Sequence, residues 1–356
     1  MKKRLSKKTK RIITAVLAGL TGASATLVAS AVIAYEACFP RYNRPDYTLL
    51  AGEYCYERIK SRLPRKEFTF LSGENKLQGY YYPSTEGKGL IVLAHGFHAG
   101  ADDYLPMIEF VVKNGFNVFT YDVCGTYSSE GDDTVGMCQS LVDLDGALRF
   151  VKTTAPYAGQ PLFLLGHSWG GYAVTSALAL HKEVLACAAI APMYSGYTVM
   201  YEKGEQYVGK LALTGKPVFD LYQKLLFKDY VKYNGVVGIN STSAPVFIAQ
   251  GIDDEIITYA GQSITAHQAE ITNPNVTYFE TKGLQGGHES IWHSIEAILY
   301  QNEVASELKL LEIKKGSKLT KEELQAFYQT VDHRLYSAVN EELLLAALKT
   351  FEEAKK

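Results

Sequence analysis

From Glu67 to about residue 303 the chain alternates between two textures. Short apolar runs, many of them β-branched, lie at Leu90–Leu93, Val118–Tyr121, Leu162–Leu165, Leu185–Ile190, Val246–Ala249 and Val276–Phe279. Helix-spaced segments separate them near 103–113, 139–154, 169–181, 258–270 and 289–303. Runs with no polar alternation have no solvated face, so they predict strands of a sheet covered on both sides, hence mostly parallel. Ahead of them, Phe68–Leu71 and Leu77–Tyr82 flank Ser72-Gly73-Glu74-Asn75, which predicts a hairpin and so an antiparallel edge. The fold class is α/β.

One alternation is broken. About 50 residues separate Ile190 from Val246, far more than a crossover needs. Within them Phe219, Tyr222, Leu225, Leu226 and Phe227 are spaced as a helix. The segment 194–243 therefore reads as a helical cap over the carboxyl ends of the strands, where open α/β sheets take ligands. The tail, 304–356, carries two helix starts, Thr320 with Glu323 and Asn340 before Glu341, and its Leu343, Leu344, Ala347 and Phe351 predict packing on the body. Residues 35–66, tyrosines among Arg and Pro, read as a linker and a short helix, leaving 67–303 as the main domain.

Charge changes the picture at the N-terminus. Residues 1–11 hold seven basic residues and no acid, and the remainder has 29 basic against 38 acidic residues. An acidic body argues against a nucleic-acid partner. Ile12–Ala34 is uncharged and as a helix would reach roughly 34 Å, enough to cross a bilayer core. Residues 1–34 thus predict a signal-anchor that holds the body at the cell membrane, outside the cytoplasm; a cleaved signal peptide ending near Ala23-Ser24-Ala25 would secrete it instead. Five scattered cysteines, an odd number, make no disulfide scaffold and no zinc-ligand spacing.

The chemistry is concentrated after the third apolar run. Leu162–Leu165 enters Gly166-His167-Ser168-Trp169-Gly170-Gly171 and a helical pattern follows. Gly-x-Ser-x-Gly between strand and helix is a tight, strained turn that exposes a serine at a helix N-terminus, where negative charge is favoured. No Gly-Lys-Ser/Thr follows, so it is not a phosphate loop. The run Leu90–Leu93 ends in Ala94-His95-Gly96-Phe97-His98, whose Phe97 amide, with that of Trp169, would form an oxyanion hole. His95 and His98 read as structural. The candidate base is His288 in Gly286-Gly287-His288-Glu289. The candidate acid is Asp253, Asp254 or Glu255, just past Val246–Ala249.

The order serine, acid, histidine and the segments Leu93-Ala94-His95-Gly96, Tyr121-Asp122 and Gly166–Gly171 resemble the α/β-hydrolase superfamily over 67–303, in its serine aminopeptidase-like and monoacylglycerol-lipase-like branch. The resemblance implies Asp254 as the acid, three residues after Gly251 and two before Ile256. It also implies acyl transfer from Ser168 with no metal or organic cofactor. After Asp122 the chain reads Val123-Cys124-Gly125-Thr126-Tyr127 instead of the branch's Arg-Gly-His-Gly flavour, so the substrate does not carry over. A lipid-like acyl ester is the leading expectation, suited by the cap aromatics. An amide next to a free amine, which Glu202 or Glu205 could hold, is the second, and a catalytically idle envelope module the third.

Overall fold

A computed structural model describes Thr14 and residues 22–154, 156–200 and 216–355. Its centre is an eight-stranded sheet in the order β1-β2-β4-β3-β5-β6-β7-β8. The strands are β1 (Lys66–Ser72), β2 (Asn75–Tyr82), β3 (Leu90–Ala94), β4 (Asn117–Tyr121), β5 (Leu162–His167), β6 (Ala186–Ile190), β7 (Val246–Gly251) and β8 (Val276–Thr281). The β1–β2 hairpin closes at Ser72 and Asn75 and joins β4 antiparallel; every other pairing is parallel. This is the α/β-hydrolase fold, with the antiparallel edge its sequence predicts.

The uniform apolar runs have their explanation here. In β3, Val92 and Ala94 point into one core while Ile91 and Leu93 point into the other, and β5 divides Leu164 and Phe163 the same way. Helices cover both faces. α1 (Gly22–Cys38), α2 (Leu105–Lys113), α3 (Gln139–Thr153) and α4 (Trp169–Ala177) precede α5 (Lys216–Phe227) and α6 (Gly235–Asn240), which lie in the long segment between β6 and β7. α6 lies so close to α4 that a Cβ at Gly238 would fall 1.9 Å from the Thr175 carbonyl. After the sheet come α7 (Ile295–Lys315), α8 (Lys321–Gln329) and α9 (Glu341–Glu353).

Several elements depart from the pattern-based expectation. In place of a helix over 258–270 there is a 3-10 segment, Thr265–Glu270, because the Ser263 hydroxyl bonds back to the Tyr259 carbonyl at 2.6 Å and competes with helical pairing. α7 begins at Ile295, where Ser294 accepts from the Ala297 amide, and runs through residue 303, so the tail is not set off there. α9 lies on the sheet, with Leu343, Leu344, Ala347 and Phe351 at 0–1% exposure in the same core as Ile91 and Leu93. The Thr320–Glu323 capping box and the Asn340 cap both form.

Residues 35–44 do not behave as a linker. α1 continues past Ala34 to Cys38 and packs on α5, where the Tyr222 hydroxyl donates to Glu36. Residues 1–13 and 15–21, with the basic run and the first part of the expected membrane span, lie outside the described residues, as do residues 201–215 with Tyr201, Glu202 and Glu205. No described helix is long and apolar enough to cross a membrane.

Candidate active site

Ser168 stands between β5 and α4 at φ 55° and ψ −114°, a conformation that costs a non-glycine residue energy and persists only where the surroundings enforce it. The glycines on either side are forced by contact. A Cβ at Gly166 would lie 2.4 Å from the Gly170 carbonyl oxygen, and one at Gly170 would lie 2.0 Å from that of Ala94. The Ser168 amide is pinned to the Ile190 carbonyl at 2.9 Å. The side chain therefore projects from the carboxyl end of the sheet.

His288 is carried there by the loop after β8. Its Nε2 lies 2.8 Å from Ser168 Oγ, and its Nδ1 lies 2.8 Å from Asp254 Oδ2. An ionised carboxylate only accepts, so Nδ1 carries the proton and Nε2 presents its lone pair to the serine hydroxyl. The three acids after β7 are sorted by their partners. Asp254, 5% exposed, takes the imidazole, Gln250 Nε2 at 2.9 Å and the Ile256 and Ile257 amides at 2.9 and 2.7 Å. Asp253 turns outward to the Gly283 amide at 2.9 Å, and Glu255 accepts from the His288 amide at 3.2 Å. Burial works against charge on Asp254, but the His288 hydrogen bond and charge, with the two amides, outweigh it and hold its carboxyl below the ordinary range.

The loop after β3 runs against the same turn: a Cβ at Gly96 would lie 3.5 Å from Ser168 Cβ. Phe97 and Trp169 are neighbours, their ring centroids 5.1 Å apart and edge-to-face. Trp169 is the first residue of α4, so its amide has no acceptor within the helix. Two residues that the sequence did not single out tie the loops together. The Gly96 amide donates to the Tyr104 hydroxyl at 2.9 Å, which donates to His167 Nδ1 at 2.8 Å. His167 Nε2 then donates to the His288 carbonyl at 3.2 Å. Burial lowers the His167 pKa, which keeps the ring neutral with one donor and one acceptor. The histidine inside Gly-x-Ser-x-Gly was a signal for this bridge; nothing in the pattern marked Tyr104.

His95 is fully buried, with Nε2 accepting from the Val123 amide at 3.0 Å and burial pushing its pKa down to about 4. It braces the loop. His181, His267 and His333 are bonded to Asp145, Glu270 and the Ala51 carbonyl, away from Ser168. Among the described residues, His167, His288 and Glu289 bring ligand-type atoms within 4.8 Å of one another. All four ring nitrogens there already have hydrogen-bond partners within the chain. A cleft of about 760 Å³ opens at Ser168 and His288, and Asp103, Glu255, Glu289, Tyr54 and Tyr336 are among the residues that line it.

Residues 85–238 match the family described as serine aminopeptidase, S33. Over 138 residues, 37% of this chain, it is 29% identical to a polyketide transferase of a Penicillium species, and over 118 residues, 32% of the chain, it is 30% identical to rat monoglyceride lipase. These matches span 47% and 39% of the relatives' own lengths, less than half of either. An esterase of Pyrococcus furiosus superposes on 78% of this chain and 98% of its own, with a TM-score of 0.53 and 19% identity, a likeness of fold. The strand order and the turn at Ser168 thus give the chain the α/β-hydrolase fold, and it is similar over 85–238 to the serine aminopeptidase S33 family and over a shorter stretch to monoglyceride lipases.

Proposed function

We propose that the protein is a serine hydrolase that cleaves a carboxylic ester through an acyl-enzyme on Ser168. The observation that carries this is the unbroken row from Ser168 Oγ through His288 to Asp254, each link 2.8 Å, at a strained strand-to-helix turn. Ser168 attacks the acyl carbon while His288 Nε2 takes its proton. Asp254 holds the ring in the required tautomer and stabilises the imidazolium. The amides of Phe97 and Trp169 receive the oxyanion, His288 returns the proton to the leaving oxygen, and water repeats the sequence to free Ser168. The similarity to monoglyceride lipases supports a lipid-like acyl group. A panel of nitrophenyl esters of rising chain length, run beside aminoacyl anilides, tests the reading; turnover of anilides without esters would overturn it.

A second reading has one observation in its favour. The cleft beside Ser168 has three carboxylates, Asp103, Glu255 and Glu289, and no Lys or Arg among its described lining residues. Such a wall suits a substrate with an ammonium group, as in cleavage of an amide next to a free amine. For the setting of the enzyme we propose an N-terminal signal-anchor with the body outside the cytoplasm, supported by the seven basic residues ahead of the uncharged Ile12–Ala34. Protease added to intact cells should digest the body, and full protection would overturn the topology.

A further inference from the structure

The segment ahead of the sheet reaches the loop that carries Phe97. Phe39 is 1% exposed and sets its ring edge-on to Phe97, centroids 5.7 Å apart. The Tyr42 ring lies 5.8 Å from the Phe97 ring and 4.3 Å from that of His98. His98 has φ 66°, an uncommon backbone state for a residue other than glycine. Phe97 in turn packs on Trp169, the other residue whose amide faces the proposed oxyanion.

The segment is itself fastened at many points, so it is able to impose a position. The Tyr42 amide donates to the Gly125 carbonyl and the Tyr42 carbonyl accepts from the Tyr127 amide, each at 2.9 Å. The Arg41 guanidinium donates to the carbonyls of Gly131, Tyr127 and Ser129 at 2.6, 2.8 and 3.0 Å. Arg44 is ion-paired with the buried Asp102. On the other side, the Tyr35 hydroxyl fills the space where a Cβ of Gly136 would stand, 1.8 Å away. These bonds are mostly to main chain, and they spare the Phe39 and Tyr42 rings for the loop.

We infer that Phe39 and Tyr42 are positioning residues that hold the Phe97 amide for the developing oxyanion. The N-terminal segment is then part of the catalytic apparatus and not a tether. The inference rests on the serine-hydrolase reading above. One consequence is specific: cleavage near Ala25 would leave Val32–Tyr42 in place, so anchored and released forms would be equally active.

The test uses the full chain. Phe39→Ala and Tyr42→Leu remove the ring contacts and leave the main-chain bonds. An alkyl boronic acid, which forms a tetrahedral adduct on an active serine, probes the oxyanion site directly. Both variants should lose about 10- to 100-fold in kcat, as a slight misplacement of a catalytic group does, with boronate affinity falling in step. KM should move less than about threefold, and Phe39→Leu should recover most of the loss. Folded variants with kcat and boronate affinity within about twofold of the parent would overturn the inference, as would a rise in KM at unchanged kcat, which would make the two rings only a pocket wall. Labelling of the parent by a fluorophosphonate probe separates the two levels: a labelled parent with equally active variants refutes the positioning role alone, and an unlabelled parent refutes the hydrolase reading and this inference together.

Discussion

His167 Nε2 donates to the main-chain carbonyl of His288 at 3.2 Å, so the residue before Ser168 holds the backbone of the residue whose ring faces Ser168. The bond closes a directional chain that starts at the Gly96 amide and passes through the Tyr104 hydroxyl. The serine turn, the loop after β3 and the loop after β8 thus share one hydrogen-bonded bridge, and a shift in any of them is felt by the others.

Breaking that bridge should act on rate more than on binding. His167→Ala leaves Tyr104 without its acceptor and the His288 carbonyl without its donor. We expect kcat to fall about 10- to 100-fold with little change in KM, read from steady-state ester hydrolysis. A kcat within about twofold of the parent would show that the three loops hold their places unaided.

The choice among the three acids is testable as a pair. Asp254→Asn keeps the shape but disturbs the tautomer control of His288 and should cost up to about 10⁴ in kcat. Asp253→Asn, whose side chain meets the Gly283 amide and not the imidazole, should remain near-normal. The reverse pattern would move the acid by one residue.

The pH response of the cleft distinguishes its two proposed substrate classes. Burial pushes the Asp103 carboxyl up to about 6, so it is neutral below that pH and charged above it. For an amine-bearing substrate that stays cationic throughout, KM should fall as pH rises from about 5 to about 7, and for a neutral ester it should stay flat. Asp103→Asn should flatten the first profile. An amine substrate with a flat KM in the parent would remove the carboxylate wall from the account.

The tail is tied to the core by Phe351. Its ring stacks on Phe163 of β5 at 5.1 Å and meets Phe116 edge-on at 6.1 Å, and it is fully buried. Phe351→Ala should destabilise the protein by about 3–5 kcal/mol, read from the urea midpoint. A loss under about 1 kcal/mol would mean that α9 docks loosely.

What the sequence made legible follows from the same contacts. Strands buried on both faces leave uniform apolar runs, so the sheet could be read from β3, β5 and β7 alone. The turn at Ser168 was legible because close backbone approach admits only glycine at 166 and 170. The acid was not separable by residue type, since Asp253, Asp254 and Glu255 all follow β7 and differ only in which donor each meets. The role of residues 35–44 was hidden for another reason. Their partners are main-chain carbonyls and the rings of Phe97 and His98, and a segment of Tyr, Arg and Pro has no periodicity that would reveal such docking. The boundary placed at residue 303 falls inside α7, whose ends were marked by the Ser294 cap and by Lys314 and Lys315 ahead of the left-handed Gly316, while its weakly patterned, largely exposed surface hid its continuity.

The central claim is that Ser168 forms the acyl-enzyme, and covalent labelling addresses it most directly. A fluorophosphonate probe should add one adduct per chain to the parent, seen by intact mass, and none to Ser168→Ala. The same variant should lose about 10⁴–10⁶ in kcat on whichever ester the parent turns over. Labelling or turnover that persists in Ser168→Ala would contradict the account.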